Sequence, residues 1–191
     1  FPQWVPEEPV AQQAAAPAAA PEATAAPAAE DAATAASNEP APEAPRVTID
    51  TPKLSGSLSL AGGRIDDLLL KGYRETVDPT SPEVRLMSPV GKDHPYYAVF
   101  GWGPGTGLTA EDVPGAKTEW TLVKGGTLSP DAPVTLQWQN SKGMTFTRDI
   151  AIDDRFMFTI TDTVANTGAA GAQLFPYGII ARHGQPAGQS V

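Results

Sequence analysis

From Arg46 onward, apolar residues recur at every second position and turn-forming residues interrupt them at roughly eight- to twelve-residue intervals, the pattern of antiparallel sheets. Val47 and Ile49 alternate with Thr48 and Asp50. Leu54, Gly56, Leu58 and Leu60 alternate with Ser55, Ser57 and Ser59, and Gly62-Gly63 then offers a tight turn into a strand over 64–71. Further strands are predicted over 83–87, 96–101, 118–124, 134–139, 144–152, 156–164 and 173–182. The clearest pair spans 144–164. Met144, Phe146, Arg148, Ile150 and Ile152 share one face, Asp153-Asp154 turns the chain, and Phe156, Phe158, Ile160 and Asp162 open the return strand. About ten strands, the longest near ten residues, exceed what a small barrel needs and predict an all-β fold of two packed antiparallel sheets. Gly101-Trp102-Gly103-Pro104-Gly105 and the residues up to Gly115 are expected to form a loop between sheets.

Residues 1–45 are a different kind of sequence. They hold 18 Ala, 9 of the 20 Pro and 7 of the 22 acids, with no Lys, Arg or Gly. With almost no large apolar side chains to bury, this stretch is expected to be a disordered linker, with short helical episodes around Ala32–Ala36 interrupted by proline. Fully extended, residues 6–45 would reach on the order of 120 Å, and about 35 Å as a coil. Phe1, Trp4 and Val5, set among prolines, resemble the interfacial edge of a membrane span that has just ended; an incidental apolar terminus explains them equally well. The remaining residues, 46–191, are expected to form one β-sandwich domain.

Charge and composition narrow the function classes. The net charge is −9, most of it in the linker, and no basic cluster offers a footprint for a phosphate backbone, so nucleic acid is an unexpected partner. Cysteine is absent, which removes disulfide scaffolds, thiol catalysis and Cys-containing zinc sites. The longest aliphatic run, Leu68-Leu69-Leu70, is far shorter than a membrane helix requires. Without an initial Met or a leader-like segment, the chain is expected to be a fragment or a mature piece, not a complete precursor.

Candidate chemistry is sparse. His94, in the turn Lys92-Asp93-His94-Pro95, and His183, at the end of the last predicted strand, are far apart in sequence and form no metal-binding motif. Solvated turn and strand-end positions account for both, although Arg182-His183 could meet an anion or a sugar hydroxyl. The adjacent carboxylates Asp66-Asp67, Glu111-Asp112 and Asp153-Asp154 do not make a glycosidic acid–base pair, because neighbours along a strand point to opposite faces. Asp153-Asp154 is explained by turn chemistry, and Asp66-Asp67 by pairing with Arg64 or a neighbouring strand. Ser55 and Ser57 lie within a strand rather than on a nucleophile elbow, and the Gly101–Gly105 stretch lacks the helix and Lys of a phosphate loop. Core packing is favoured for Trp120 and Trp138, with Trp102 exposed beside its glycines. No catalytic, cofactor-binding or metal-ligating residue is assigned, no cofactor is expected, and the domain is expected not to be an enzyme.

Several ordered blocks carry a resemblance. Gly62-Gly63-Arg64-Ile65-Asp66-Asp67-Leu68, Tyr73-Arg74-Glu75-Thr76, Ser88-Pro89, His94-Pro95-Tyr96-Tyr97-Ala98 and Phe100-Gly101-Trp102 come first. Pro133-Val134-Thr135-Leu136, Asp153-Asp154, Phe156-Met157-Phe158, Asp162-Thr163-Val164 with Asn166, and Tyr177 through Gly184 follow in order. Together, over residues 46–191, they resemble the large periplasmic domain of YidC/Oxa-type membrane protein insertases in its alphaproteobacterial form. The resemblance implies a β-supersandwich of the galactose-mutarotase-like kind, truncated here at its C-terminus and held on the periplasmic side of the inner membrane. It implies a non-catalytic, chaperone-like part in membrane protein insertion, with Sec translocon components and nascent membrane proteins as partners of the longer protein. The insertase groove lies in membrane helices that this chain lacks, so no site residue carries over. A mutarotase-like or carbohydrate-binding domain is the alternative, with His183, His94 and a carboxylate as acid and base on the concave sheet.

Overall fold

The computed structural model describes residues 27–38 and 42–184. In chain order these form helix α1 (Pro27–Asn38) and strands β1 (Arg46–Asp50), β2 (Leu54–Ser59), β3 (Arg64–Arg74), β4 (Glu83–Met87) and β5 (Tyr96–Pro104). A 3-10 turn (Ala110–Asp112) precedes β6 (Thr121–Lys124), β7 (Val134–Gln139), β8 (Met144–Ile152), β9 (Phe158–Asn166) and β10 (Leu174–Arg182). One sheet has the order β1-β2-β3-β5-β10, with β4 paired to β3 as well. The second has the order β6-β7-β8-β9, and every named strand pair is antiparallel. The predicted all-β, two-sheet sandwich is the observed architecture.

Alternation decides which side chains meet. On β8, Met144, Phe146, Arg148, Ile150 and Ile152 are buried and the intervening residues are not. They face Val47, Ile49, Leu54, Leu58, Ile65, Leu68 and Ala98 of the first sheet in one continuous core, joined by Val134 and Leu136 of β7. Burial of such side chains contributes about 1.5–3 kcal/mol each, which is why the period-two pattern specifies register so firmly.

A charged group sits in the middle of this core. Arg148 has no solvent exposure; its Nε and Nη2 each donate to a carboxylate oxygen of Asp162 at 2.7 Å. Its Nη1 donates across the sandwich to the carbonyls of Phe100 at 3.1 Å and Gly62 at 3.4 Å. The guanidinium also lies 4.7 Å from the Trp120 ring centroid. Gly63, at φ +58°, leaves room for it, since a Cβ there would stand 3.0 Å from Nη1. Arg148 therefore ties β8 and β9 to the β2–β3 turn and β5, with every buried polar atom of the group used.

Four local expectations change. The glycine stretch expected to loop continues β5 through Pro104, because its glycines serve packing: Gly101 faces Tyr177 across the ladder, and a Cβ there would stand 2.4 Å from the Tyr177 hydroxyl. Trp102 is half-buried against the core. The strand expected over 118–124 begins only at Thr121, since Trp120 N donates to Leu60 O at 2.9 Å and Gly62 N to Thr118 O at 2.7 Å, binding that segment to the first sheet's turn. The return strand begins at Phe158, because the turn extends over Asp153–Met157 and carries Phe156 at φ +74°.

Within the expected linker, a helix lies where short helical episodes were expected, around Ala32–Ala36. Residues 1–26 fall outside the described residues, but Pro27–Asn38 forms a 12-residue helix with Glu30 in its first turn. A helix this short is marginal by itself. It gains support by packing on β5 and β10, where Ala29 is buried. Central strand β5 is apolar on both faces: Ala98 joins the main core, while Tyr97 and Val99 form a smaller cluster with Ala116, flanked by Tyr177, Ile179 and Ala181. Ile180, on the opposite face of β10, stays 69 % exposed, so the helix covers the outer face.

Candidate functional surface

The ladder between β5 and β10 brings the two histidines together. Arg182 pairs with Tyr96, and His183 N donates to Pro95 O at 2.8 Å, which places the next position, Gly184, beside His94. A Cβ on Gly184 would stand 3.3 Å from His94 Nδ1. Both histidines are exposed, and His94 takes a left-handed conformation at φ +50°. His183 stacks on Tyr97, with ring centroids 5.9 Å apart and Nε2 3.3 Å from the Tyr97 hydroxyl. Tyr97 in turn carries the Arg64 guanidinium on its ring at 4.4 Å. The result is a layered row, Arg64, Tyr97, His183, on the outer face rather than on a concave inner sheet.

A cleft of about 640 Å³ is lined by Glu75, Arg85, Asp93, His94, Tyr96 and Arg182 among others. Arg182 lies 4.2 Å over the Tyr96 ring. Such a cleft presents carboxylates, an imidazole and guanidinium groups to solvent, the groups that hydrogen-bond hydroxyl-rich or charged ligands. Among the described residues, no group of three or more His, Asp or Glu is placed to hold a metal ion.

Of the adjacent carboxylates, Asp66, Asp67, Asp112 and Asp153 have structural partners. Asp66 is buried and bound by Arg46 of β1, not by Arg64 as one expectation had it; a bulge in the β2–β3 ladder turns it toward the outer face. Burial pushes the Asp66 carboxyl above its ordinary range, opposed by the Arg46 hydrogen bond and the charges of Arg46 and Arg64. Asp67 accepts from Ser57 Oγ at 3.1 Å and is paired with Arg85 of β4. Gly56 makes this crossing tight, since a Cβ there would stand 1.9 Å from Asp67 O. Asp112 closes the 3-10 turn, accepting from Thr109 N at 2.8 Å and Lys142 Nζ at 2.8 Å, and the Lys142 hydrogen bond leads the effects that hold its carboxyl low. Asp153 accepts from the backbone N–H groups of Arg155 and Met157, both at 2.8 Å, as turn chemistry requires. Trp120 is buried and Trp138 packs on Phe146 with centroids 5.5 Å apart, so both serve the core as expected.

Sequence reasoning missed Arg64 and Tyr97 as members of one row. A signal existed. Arg64 follows Gly62-Gly63 and opens an apolar strand, where a charged residue has no reason to stand unless its face is covered or liganded.

Comparison with known proteins agrees with this architecture. The YidC periplasmic domain family matches residues 46–191. The membrane protein insertase YidC of Cereibacter sphaeroides is 58 % identical over 145 residues, 76 % of this chain and 23 % of the relative. That of Dinoroseobacter shibae is 51 % identical over 178 residues, 93 % of this chain and 27 % of the relative. That of Bradyrhizobium diazoefficiens is 53 % identical over 143 residues, 75 % of this chain and 23 % of the relative. The chain thus spans about a quarter of the length of these curated relatives. A β-sandwich whose strands, turns and core occupy the matched span, with several relatives more than half identical across it, belongs to the YidC periplasmic domain family.

Proposed function

We propose that this chain is the non-catalytic periplasmic domain of an inner-membrane insertase, assisting insertion and folding of inner-membrane proteins alone or with the Sec translocon. The family match over residues 46–191 carries the reading. The relatives' names, membrane protein insertase YidC, support it. Exposed large apolar side chains, among them Tyr73, Val77, Val123, Met157 and Ile180, are suited to weak contacts with extended or partly folded chains. Among the described residues, no helix is long and apolar enough to cross a membrane, so on this reading the domain works beside the bilayer. Site-specific photocrosslinking from Ile180 and Val123, within the longer protein in native membranes, should recover inserting membrane proteins or Sec components. Recovery of abundant unrelated envelope proteins alone would refute the proposal.

A second reading, a mutarotase-like or carbohydrate-binding domain, is favoured by one observation: the fold unites His94 with Glu75, Asp93 and Arg182 around one cleft. Calorimetric titration with aldoses and a mutarotation assay decide it. Saturable binding lost in His183→Ala and His94→Ala supports this reading, and absence of both binding and turnover removes it.

A further inference from the structure

Strand β5 carries apolar side chains on both faces, and one face alone belongs to the sandwich core. Ala98 points into that core, whereas Tyr97 and Val99 point outward and are still wholly buried, at 0 % exposure each. With Ala116, Tyr177, Ile179 and Ala181 they make a second apolar surface on the outside of the first sheet. Helix α1 packs on the two strands that form it, β5 and β10. Ala29 is buried, Ala32 and Ala33 are half-buried, and Glu30, Asp31 and Thr34 are exposed. The helix therefore turns alanine methyl groups toward the sheet at positions i, i+3 and i+4.

The two sides of this contact are unequal. The sheet contributes two tyrosines, a valine and an isoleucine, and the helix contributes methyl groups. Apolar stabilisation scales with buried area, so alanines hold such a surface less firmly than larger side chains would. With 12 residues, α1 is too short to persist as a helix away from the sheet, so lifting and unwinding are coupled. The chain is pinned again at Pro45, whose carbonyl accepts from Leu60 N at 2.9 Å. The seven residues between Asn38 and Arg46 extend to about 25 Å at most, so a lifted helix stays within reach of its seat and closes again readily.

We propose that α1 is an autoinhibitory strap: it occupies in cis an apolar docking face on β5 and β10, and once it lifts, that face takes an apolar helical segment of an inserting membrane protein in its place. The seated helix shows the shape the face accepts, and the class of occupant rests on the insertase reading. The closed strap itself does not depend on that reading.

Fluorescence titration of the 191-residue chain with a dye-labelled helical peptide of leucine and alanine, made soluble by lysines at its ends, tests this. Thr34→Pro breaks α1 through its backbone from the exposed side and leaves the side chains of the sheet in place. It should bind the peptide about tenfold or more tightly than the unaltered chain, the ratio reading how rarely the strap is open. Adding Ile179→Asp should abolish that gain, and unchanged amide protection of β7 and β8 in both variants establishes that the sandwich is intact. The unaltered chain gives a readout that needs no variant: saturating peptide should raise amide exchange across 27–38 while β7 and β8 stay protected. Equal affinity in the unaltered chain and Thr34→Pro, binding that leaves 27–38 protected, or no binding to either would overturn the proposal. If the peptide fails while photocrosslinks from Ile180 and Val123 still recover inserting proteins, the strap falls and the insertase reading stands.

Discussion

Replacing Arg148 by methionine keeps a long unbranched side chain in the core but leaves Asp162, Gly62 O and Phe100 O without their donors. Breaking a buried ion pair by removing one partner costs about 3–5 kcal/mol. The Asp162 side chain is 18 % exposed, so water reaches part of the abandoned carboxylate, which places the expected loss near ~3 kcal/mol. In urea, with m of about 2 kcal/mol/M for a domain of this size, the midpoint should fall on the order of 1.5 M without a change in m. The double variant Arg148→Met, Asp162→Leu removes both charges together. It should recover most of the loss, to within ~1 kcal/mol of the parent, because the penalty belongs mainly to the orphaned carboxylate. A single variant whose midpoint moves by less than ~0.3 M would refute the reasoning. So would a double variant less stable than Arg148→Met, since that would show the pair to be valuable for shape rather than for mutual neutralisation.

Gly101→Ala should destabilise the β5–β10 pairing by about 1–3 kcal/mol, as a Cβ there would stand 2.4 Å from the Tyr177 hydroxyl, and Tyr177→Leu should restore part of it in chemical denaturation. Asp153 accepts backbone N–H bonds from Met157 and Arg155, which hold its carboxyl below the ordinary range. Its folded value is the depressed one, so its contribution is present above the unfolded value and is lost as pH falls through the folded one; Asp153→Ala should flatten the acid limb of the stability profile, seen by circular dichroism. Asp66 has the opposite sign. Its raised folded value means that ionisation works against the fold as pH climbs above the unfolded carboxylate value, so the stability difference between the parent and Asp66→Asn should shift toward the variant over that interval. Ala29→Asp, placing a charge where α1 meets the sheet, should release the helix and raise amide hydrogen exchange across 27–38 while leaving β7 and β8 protected.

The chain's own periodicity determined the sandwich. In β8 and its partners each second residue is apolar except Arg148 and Asp162, and a strand with that pattern can bury only one face, so fold class, most strand positions and the shared face of Arg148 and Asp162 were legible in the sequence. Turn chemistry was legible too, at Gly62-Gly63 and Asp153, because those residues act on their own backbone. Tertiary structure alone decided the rest. Whether Gly101 and Gly103 loop or lie in a strand depended on the aromatic residues that β10 lays beside them. Whether an alanine-rich segment orders depended on an apolar outer face formed by strands far along the chain. The meeting of His94 with Gly184, and of Arg64 with Tyr97 and His183, likewise required the β3–β5–β10 order, a long-range pairing. Local pattern encodes which face of a strand is buried; which strands become neighbours is settled by the free energy of the whole core, so sites built across strands appear only when the sheet is assembled.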